Sequence, residues 1–142
     1  MDTIYTLSET GSVAKELLAS LDTYADKATV LGLSGDLGAG KTTLVQAIAQ
    51  ELGVTNPVVS PTFVIAKFYE TGHHSFKTLV HIDAYRIENT KELEVLGWSN
   101  LCKQPNNLII VEWAERIKKL LPENTLSIAI DHKDELRHIH TL

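Results

Sequence analysis

A single cysteine, Cys102, stands in the whole chain, which excludes an internal disulfide and fits a reducing compartment. Arginine is nearly as scarce, confined to positions 86, 116 and 137, and the 18 acidic residues outnumber the 13 lysines and arginines. The resulting formal charge of −5 argues against a surface that grips nucleic acid directly. No apolar run approaches the ~18–20 residues needed to cross a bilayer. The first residues lack the basic-then-apolar pattern of an export signal. A cytoplasmic protein without membrane attachment is therefore expected. Repeats, low-complexity tracts and linkers are also missing. What remains is an ordinary globular composition, 44% apolar and 22% charged over 142 residues, long enough for one domain spanning 1–142 with its own core.

Alternating elements run along the chain. Residues 4–7 read as a short strand. The following segment places Val13, Leu17, Leu18 and Leu21 on one helical face, with Ser8 or Thr10 as N-cap. Thr29–Ser34 is an apolar strand, and 42–52 a helix stopped by Gly53. Pro57 and Pro61 make a loop, after which a strand is expected from Thr62 through Tyr69. A second apolar strand ends near Asp83, and a short helix capped by Asn89 or Thr90 closes at Gly97. "NNLIIVEW" is a third buried strand, "AERIKKLL" a helix, and "TLSIAID" with "RHIHTL" a hairpin around "HKDE".

Between the strand Thr29–Ser34 and the next helix lies "GDLGAGKTT", residues 35–43. Three glycines in six residues would spoil either neighbour, but they suit a turn whose backbone must fold tightly. The spacing fits G-x-x-x-x-G-K-[ST] in the strand–loop–helix context that motif requires. Gly35, Gly38 and Gly40 let backbone N–H groups point inward, where they and the helix N-terminus favour a polyphosphate. Lys41 is placed to bridge the β- and γ-phosphates, and the Thr42 hydroxyl to ligate Mg²⁺. The candidate nucleotide-binding residues are Gly35, Asp36, Gly38, Ala39, Gly40, Lys41, Thr42 and Thr43, with Thr10, Trp113 and Arg137 added to them.

A phosphate loop alone does not select a reaction. Two apolar strands end in acids, Asp83 and Glu112, and the carboxyl ends of parallel strands lie beside such a loop. One acid could hold Mg²⁺ and the other orient the attacking water; against this stands the common case of a strand ending in a solvated acid. The candidate metal set is Thr42, Glu112 and Asp83. "NTKE" and "DHKD" do not match the N-K-x-D element of guanine recognition, so ATP is favoured over GTP. A small-molecule kinase would need an arginine-bearing lid, which the sparse arginines do not supply; it ranks second, ahead of a nucleotide-gated binding module with incidental hydrolysis.

Other residues are weaker signals. His73-His74 lies in a turn open to water. His138-x-His140 puts two imidazoles on one strand face, but without an evident third ligand a solvated face is expected. Cys102 lacks a basic partner and reads as an idle thiol. Trp98 and Trp113 read first as packing residues, although Trp113 follows Glu112 and could wall a nucleotide site.

"GDLGAGKTT", "SPTF" at 60–63, "HIDAYR" at 81–86, "ELEVLGW" at 92–98 and "VEWAER" at 111–116 occur in one order with short spacings. In this combination the chain resembles the TsaE family, formerly YjeE, of bacterial P-loop ATPases, from its first helix to the "TLSIAI" strand. The resemblance implies a three-layer α/β P-loop NTPase fold with a mostly parallel central sheet; a C-terminal antiparallel hairpin is added from the strand pattern. It implies ATP/ADP and Mg²⁺ as ligands, and a role in threonylcarbamoyladenosine (t6A) modification of tRNA beside TsaD and TsaB, reaching tRNA only through that complex. It assigns Lys41 and Thr42 to phosphate and metal, Thr62 to sensing the γ-phosphate, and Asp83 and Glu112 to the acidic pair. Lys41, Thr62, Asp83 and Glu112 are thus the catalytic candidates. Ala84 stands where the family often has a larger apolar residue, which touches nothing catalytic.

Overall fold

Why a strand such as Asn107–Glu112 is apolar at every interior position becomes clear from its place in the sheet: all six of its residues are buried. The computed structural model describes residues 1–36, 38–58 and 65–142. Its strands are β1 (Asp2–Thr6), β2 (Thr29–Ser34), β3 (Ala66–Glu70), β4 (Thr78–Asp83), β5 (Asn107–Glu112), β6 (Leu126–Lys133) and β7 (Leu136–Thr141). They form one seven-stranded sheet in the order β1-β7-β6-β2-β5-β4-β3. The centre is parallel, with β2 between β6 and β5, and β5 beside β4. Antiparallel pairings flank it, β6 with β7 and β7 with β1 at one side and β4 with β3 at the other. Parallel strands covered on both faces need near-continuous apolar sequence, which β2 and β5 supply.

Helices α1 (Thr10–Ser20) and α2 (Lys41–Glu51) pack on one face, while α3 (Lys91–Leu96), α4 (Trp98–Cys102) and a 3-10 segment, Ala114–Leu120, pack on the other. The alternation of strand side chains divides the core into these two layers. Leu108 and Ile110 of β5 join Leu44 and Ile48 of α2, whereas Ile109 and Val111 join Leu93, Trp98 and Ile117. By the same alternation His81 and Asp83 share the face of Leu79, and Glu112 that of Ile110, so all three are set toward α2.

Several expectations need correction. Neither Ser8 nor Thr10 caps the first helix from solvent. A 3-10 turn, Leu7–Glu9, precedes α1, and the Glu9 carboxylate reaches back to accept hydrogen bonds from the Thr6 N–H at 3.0 Å and hydroxyl at 2.8 Å. The segment "AERIKKLL" is 3-10 rather than α, with a kink at Ile117. Its inward residues Ala114, Ile117 and Leu120 recur every three positions, the period at which 3-10 side chains eclipse. Gly97, at φ 87°, both ends α3 and begins α4, a helix the sequence reading did not resolve. The hairpin turn is tighter than expected. His132 and Lys133 remain in β6, Lys133 pairs with Leu136, and Asp134 takes the left-handed conformation at φ 56°. The expected strand start at Thr62 lies outside the described residues, and β3 begins at Ala66.

Candidate nucleotide-binding site

The loop after β2 is built on backbone conformations that side chains resist. Gly38 and Gly40 have φ of 81° and 103°. At Gly35 a Cβ would come within 2.3 Å of the Ile130 carbonyl oxygen, so only glycine lets the loop pass the neighbouring strand. Ala39 is buried, and its N–H donates to the Asp36 carbonyl at 3.0 Å. Helix α2 then starts at Lys41 with its N-terminus facing the loop.

Lys41 is only 5% exposed. Its ammonium donates to the Gly35 carbonyl and, at 2.9 Å, to the Asp36 carbonyl. It also lies 4.2 Å from the centre of the Trp113 ring, a cation–π contact. Burial pushes the Lys41 pKa down, and the acidic groups around it, Glu112 first, pull it back up.

The Thr42 hydroxyl donates to Glu112 Oε1 at 2.8 Å, with Oε2 at 3.1 Å. Asp83 is paired in register with Glu112 at the ends of adjacent parallel strands, which places their backbones about 4.8 Å apart. The Asp83 carboxylate accepts the Tyr85 N–H at 3.0 Å. Behind Glu112 stands a residue the sequence reading passed over. His81, fully buried, brings Nε2 to 2.5 Å from Glu112 Oε2. Its alternation with Asp83 along β4 was the available signal, but only the β4–β5 register reveals that it meets Glu112.

These groups open into one cleft of about 300 Å³, lined by Gly38, Gly40, Lys41, Thr42, Thr43, Asp83, Tyr85, Arg86, Glu112, Trp113 and Arg137. Trp113 sits in the left-handed region at φ 58°, costly for a bulky residue. That turn carries its ring away from the line of β5 and over Lys41, 4.9 Å from the Tyr85 ring. Arg137 arrives from β7, the far side of the sheet order, and lies against Gly40, where a Cβ would meet its Nε at 2.9 Å. Tyr85 and Arg86 carry no site signal in the sequence beyond the run "HIDAYR"; their position just past the carboxyl end of β4 brings them here.

Thr10 is not among the lining residues. It is buried in α1, and its hydroxyl donates to the Leu7 carbonyl at 2.7 Å. Thr62 lies in 59–64, outside the described residues. The oxygen donors Thr42, Glu112 and Asp83 make the set that a hard cation such as Mg²⁺ prefers over a transition metal.

The family model described as "Threonylcarbamoyl adenosine biosynthesis protein TsaE" matches residues 5–139. The chain belongs to the TsaE family. Among its relatives, the tRNA threonylcarbamoyladenosine biosynthesis protein TsaE of Haemophilus influenzae is 34% identical, covering 93% of this chain and 80% of the relative. The protein of the same name from Bacillus subtilis is 42% identical, covering 86% and 71%. The crystal structure of Bacillus subtilis YdiB superposes with a TM-score of 0.75 at 32% identity, covering 99% of this chain and 83% of that one. The TsaE match carries the fold expectation with it: a parallel-centred α/β sheet in three layers, with the P-loop after β2 and an antiparallel β6–β7 hairpin. No helix among the described residues is long and apolar enough to cross a membrane.

Proposed function

We propose that this TsaE-family chain is a magnesium-dependent ATPase of the cytoplasm that supports t6A modification of tRNA together with TsaD and TsaB, meeting tRNA through those partners. The observation that carries this reading is the convergence, in one cleft, of the glycine loop, Lys41, Thr42 and two strand-end carboxylates. The relatives' names supply the pathway; the cleft supplies the chemistry.

The loop N–H groups and the N-terminus of α2 receive the phosphates of ATP. Lys41 exchanges its two carbonyl acceptors for phosphate oxygens, an exchange of partners that leaves its ammonium satisfied throughout. Thr42 and Glu112 are the residues that would hold Mg²⁺, which would neutralise charge on the β- and γ-phosphates. The contact with Thr42 supports a metal-side role for Glu112. Asp83, one strand further out, is left to orient water toward the γ-phosphate. Arg86 and Arg137 add positive charge at the rim, and Trp113 with Tyr85 forms an aromatic wall. Thr62 is the proposed reporter of the γ-phosphate, since a hydroxyl contact made with ATP and lost with ADP can signal nucleotide state.

Reconstituted t6A synthesis with TsaD, TsaB and tRNA tests the reading. Omission of this chain should lower the yield, wild type should restore it, and Lys41→Ala should not. Lys41→Ala should also lose roughly 1.5–3 kcal/mol of ATP binding, one to two orders of magnitude. Full support of synthesis by a chain that neither binds nor hydrolyses ATP would overturn the proposal.

A further inference from the structure

The β6–β7 hairpin brings to its outward face a set of side chains that the phosphate cleft does not use. His138 and His140 alternate along β7, so both point to the face opposite Arg137 and the buried Ile139. Sequence spacing left them without a third ligand. The hairpin register provides one, because Asp131 of β6 lies directly across from His138. One ligand atom from each of Asp131, His138 and His140 falls within 4.8 Å of the others. Their side chains are 66%, 40% and 31% exposed respectively, so Asp131 opens the cluster to water while the histidines are partly covered.

We propose that Asp131, His138 and His140 bind a divalent transition-metal ion of the zinc class, at a site separate from the oxygen-lined cleft. Two imidazoles and one carboxylate suit Zn²⁺ and its neighbours, and do not suit Mg²⁺ or Ca²⁺, which prefer oxygen alone. His140 Nδ1 is shielded from water and has no hydrogen-bond partner among the described residues. It stands 4.0 Å from Asp131 Oδ2, too far for a hydrogen bond. Ligands of one tetrahedral ion with bonds of about 2.0–2.1 Å lie roughly 3.3 Å apart, so a side-chain movement of under about 1 Å brings the pair onto a common ion. Asp2, from β1, places Oδ1 2.5 Å from His138 Nε2. It acts as the carboxylate that fixes a ligand histidine's ring from outside. Since Asp131 and the histidines sit on different strands, a bound ion staples β6 to β7, the strand that carries Arg137 to the phosphate loop.

The competing account is simple pairing of histidines with acids on a wet strand face. The full chain, stripped by chelator and held in millimolar Mg²⁺, is titrated with Zn²⁺ against a chromophoric competitor. The expected result is one equivalent bound, weakened at least about tenfold by Asp131→Asn and by His140→Gln, and unaffected by Cys102→Ser. A hundredfold excess of Zn²⁺ over its Kd should raise the melting temperature by roughly 5–10 °C in wild type and not in those variants. In the wild-type chain, the imidazole resonances of His138 and His140 should move with the first equivalent while those of His73 and His74 stay. Equal affinity in wild type and His140→Gln, or loss of Zn²⁺ binding through Glu112→Gln instead, would overturn the site. Equal affinity in His140→Gln would leave the ATPase reading untouched, whereas loss through Glu112→Gln would move the ion into the cleft, so failure of this site is distinguishable from failure of the proposed ATPase.

Discussion

Thr42 and Glu112, seventy positions apart in the chain, are joined by a 2.8 Å hydrogen bond from the threonine hydroxyl to Oε1. On the proposed reading, this hydroxyl and carboxylate, beside a loop that would receive phosphate, are the oxygens that would hold a magnesium ion. Glu112→Gln should therefore weaken ATP binding by roughly ten- to a hundredfold in Mg²⁺, with little loss when Mg²⁺ is absent. Asp83→Asn should bind ATP nearly as well as wild type and turn it over far more slowly. Binding isotherms with and without Mg²⁺, beside turnover rates, separate the two. The reverse pattern would exchange the roles of the acids, and normal turnover in both variants would make them ordinary strand ends.

His81 supports Glu112 from beneath. The histidine is fully buried and the glutamate only 3% exposed, so their contact is shielded from water. His81→Leu removes the partner of a buried carboxylate oxygen and should cost about 1–3 kcal/mol of stability. His81→Gln can still donate to that oxygen and should recover much of both stability and Mg²⁺-dependent ATP affinity. If leucine and glutamine behave alike in denaturant melts and in Mg²⁺ titrations, His81 serves packing alone.

The contrast between Thr42 and His81 shows which parts of the site could be read from sequence. Thr42 belongs to a contiguous motif with the spacing G-x-x-x-x-G-K-[ST], and its flanking strand and helix have unmistakable apolar patterns. Asp83 and Glu112 are legible as candidates because each closes an apolar run. His81, Tyr85 and Arg86 were not assigned, because their value depends on strand register and on the path of the chain after β4. Arg137 shows the same limit from the other end: its place beside Gly40 follows from β7 folding back across β6, a pairing of distant segments. In the fold, β2 was read to the residue because buried parallel strands are apolar throughout. Helix α4 was missed because one glycine serves two helices of six and five residues, too short for a periodicity. The place of Asp131 across from His138 was invisible for the reason that hid His81.

Trp113 offers an optical test of the cleft. Its ring covers Lys41 at 4.2 Å, whereas Trp98 is buried in the other layer with its indole N–H donating to the Leu120 carbonyl at 3.1 Å. Adding ATP with Mg²⁺ should change the fluorescence of wild type and of Trp98→Phe, and leave Trp113→Phe silent. A response that persists in Trp113→Phe would place the nucleotide elsewhere.

Glu9 gives the fold a pH-dependent term. The Thr6 backbone N–H, and after it the Thr6 hydroxyl, hold the Glu9 carboxyl below its ordinary pKa. A carboxylate depressed in the folded state contributes stability that is complete above its unfolded pKa and disappears as the pH falls through the folded one. Wild type should thus be more stable than Glu9→Gln at neutral pH, and the gap in denaturant midpoint should close on acidification below the carboxylate range. A gap that is unchanged in acid would assign the cap to a neutral hydrogen bond.

Arg137 joins the distant hairpin to the phosphate loop, and the two parts it plays can be separated. Its side chain packs on Gly40, where even a Cβ would come within 2.9 Å of Nε. Its charge also reaches Tyr5, whose pKa is raised by burial and drawn back by the guanidinium. Arg137→Met keeps the length and the packing and removes the charge. If the guanidinium serves phosphate, the methionine variant should lose roughly ten- to a hundredfold in ATP affinity, the worth of one charge-assisted contact, while its melting temperature without nucleotide changes little. Arg137→Lys keeps the charge but not the planar fork, and should fall between the two, since lysine meets phosphate as a point charge. In the same Arg137→Met chain the Tyr5 phenol should titrate at higher pH than in wild type, a readout that needs no nucleotide and shows that the charge has gone from this place. Unchanged ATP affinity together with that upward shift would mean that Arg137 is present beside the loop and acts only by filling space against Gly40.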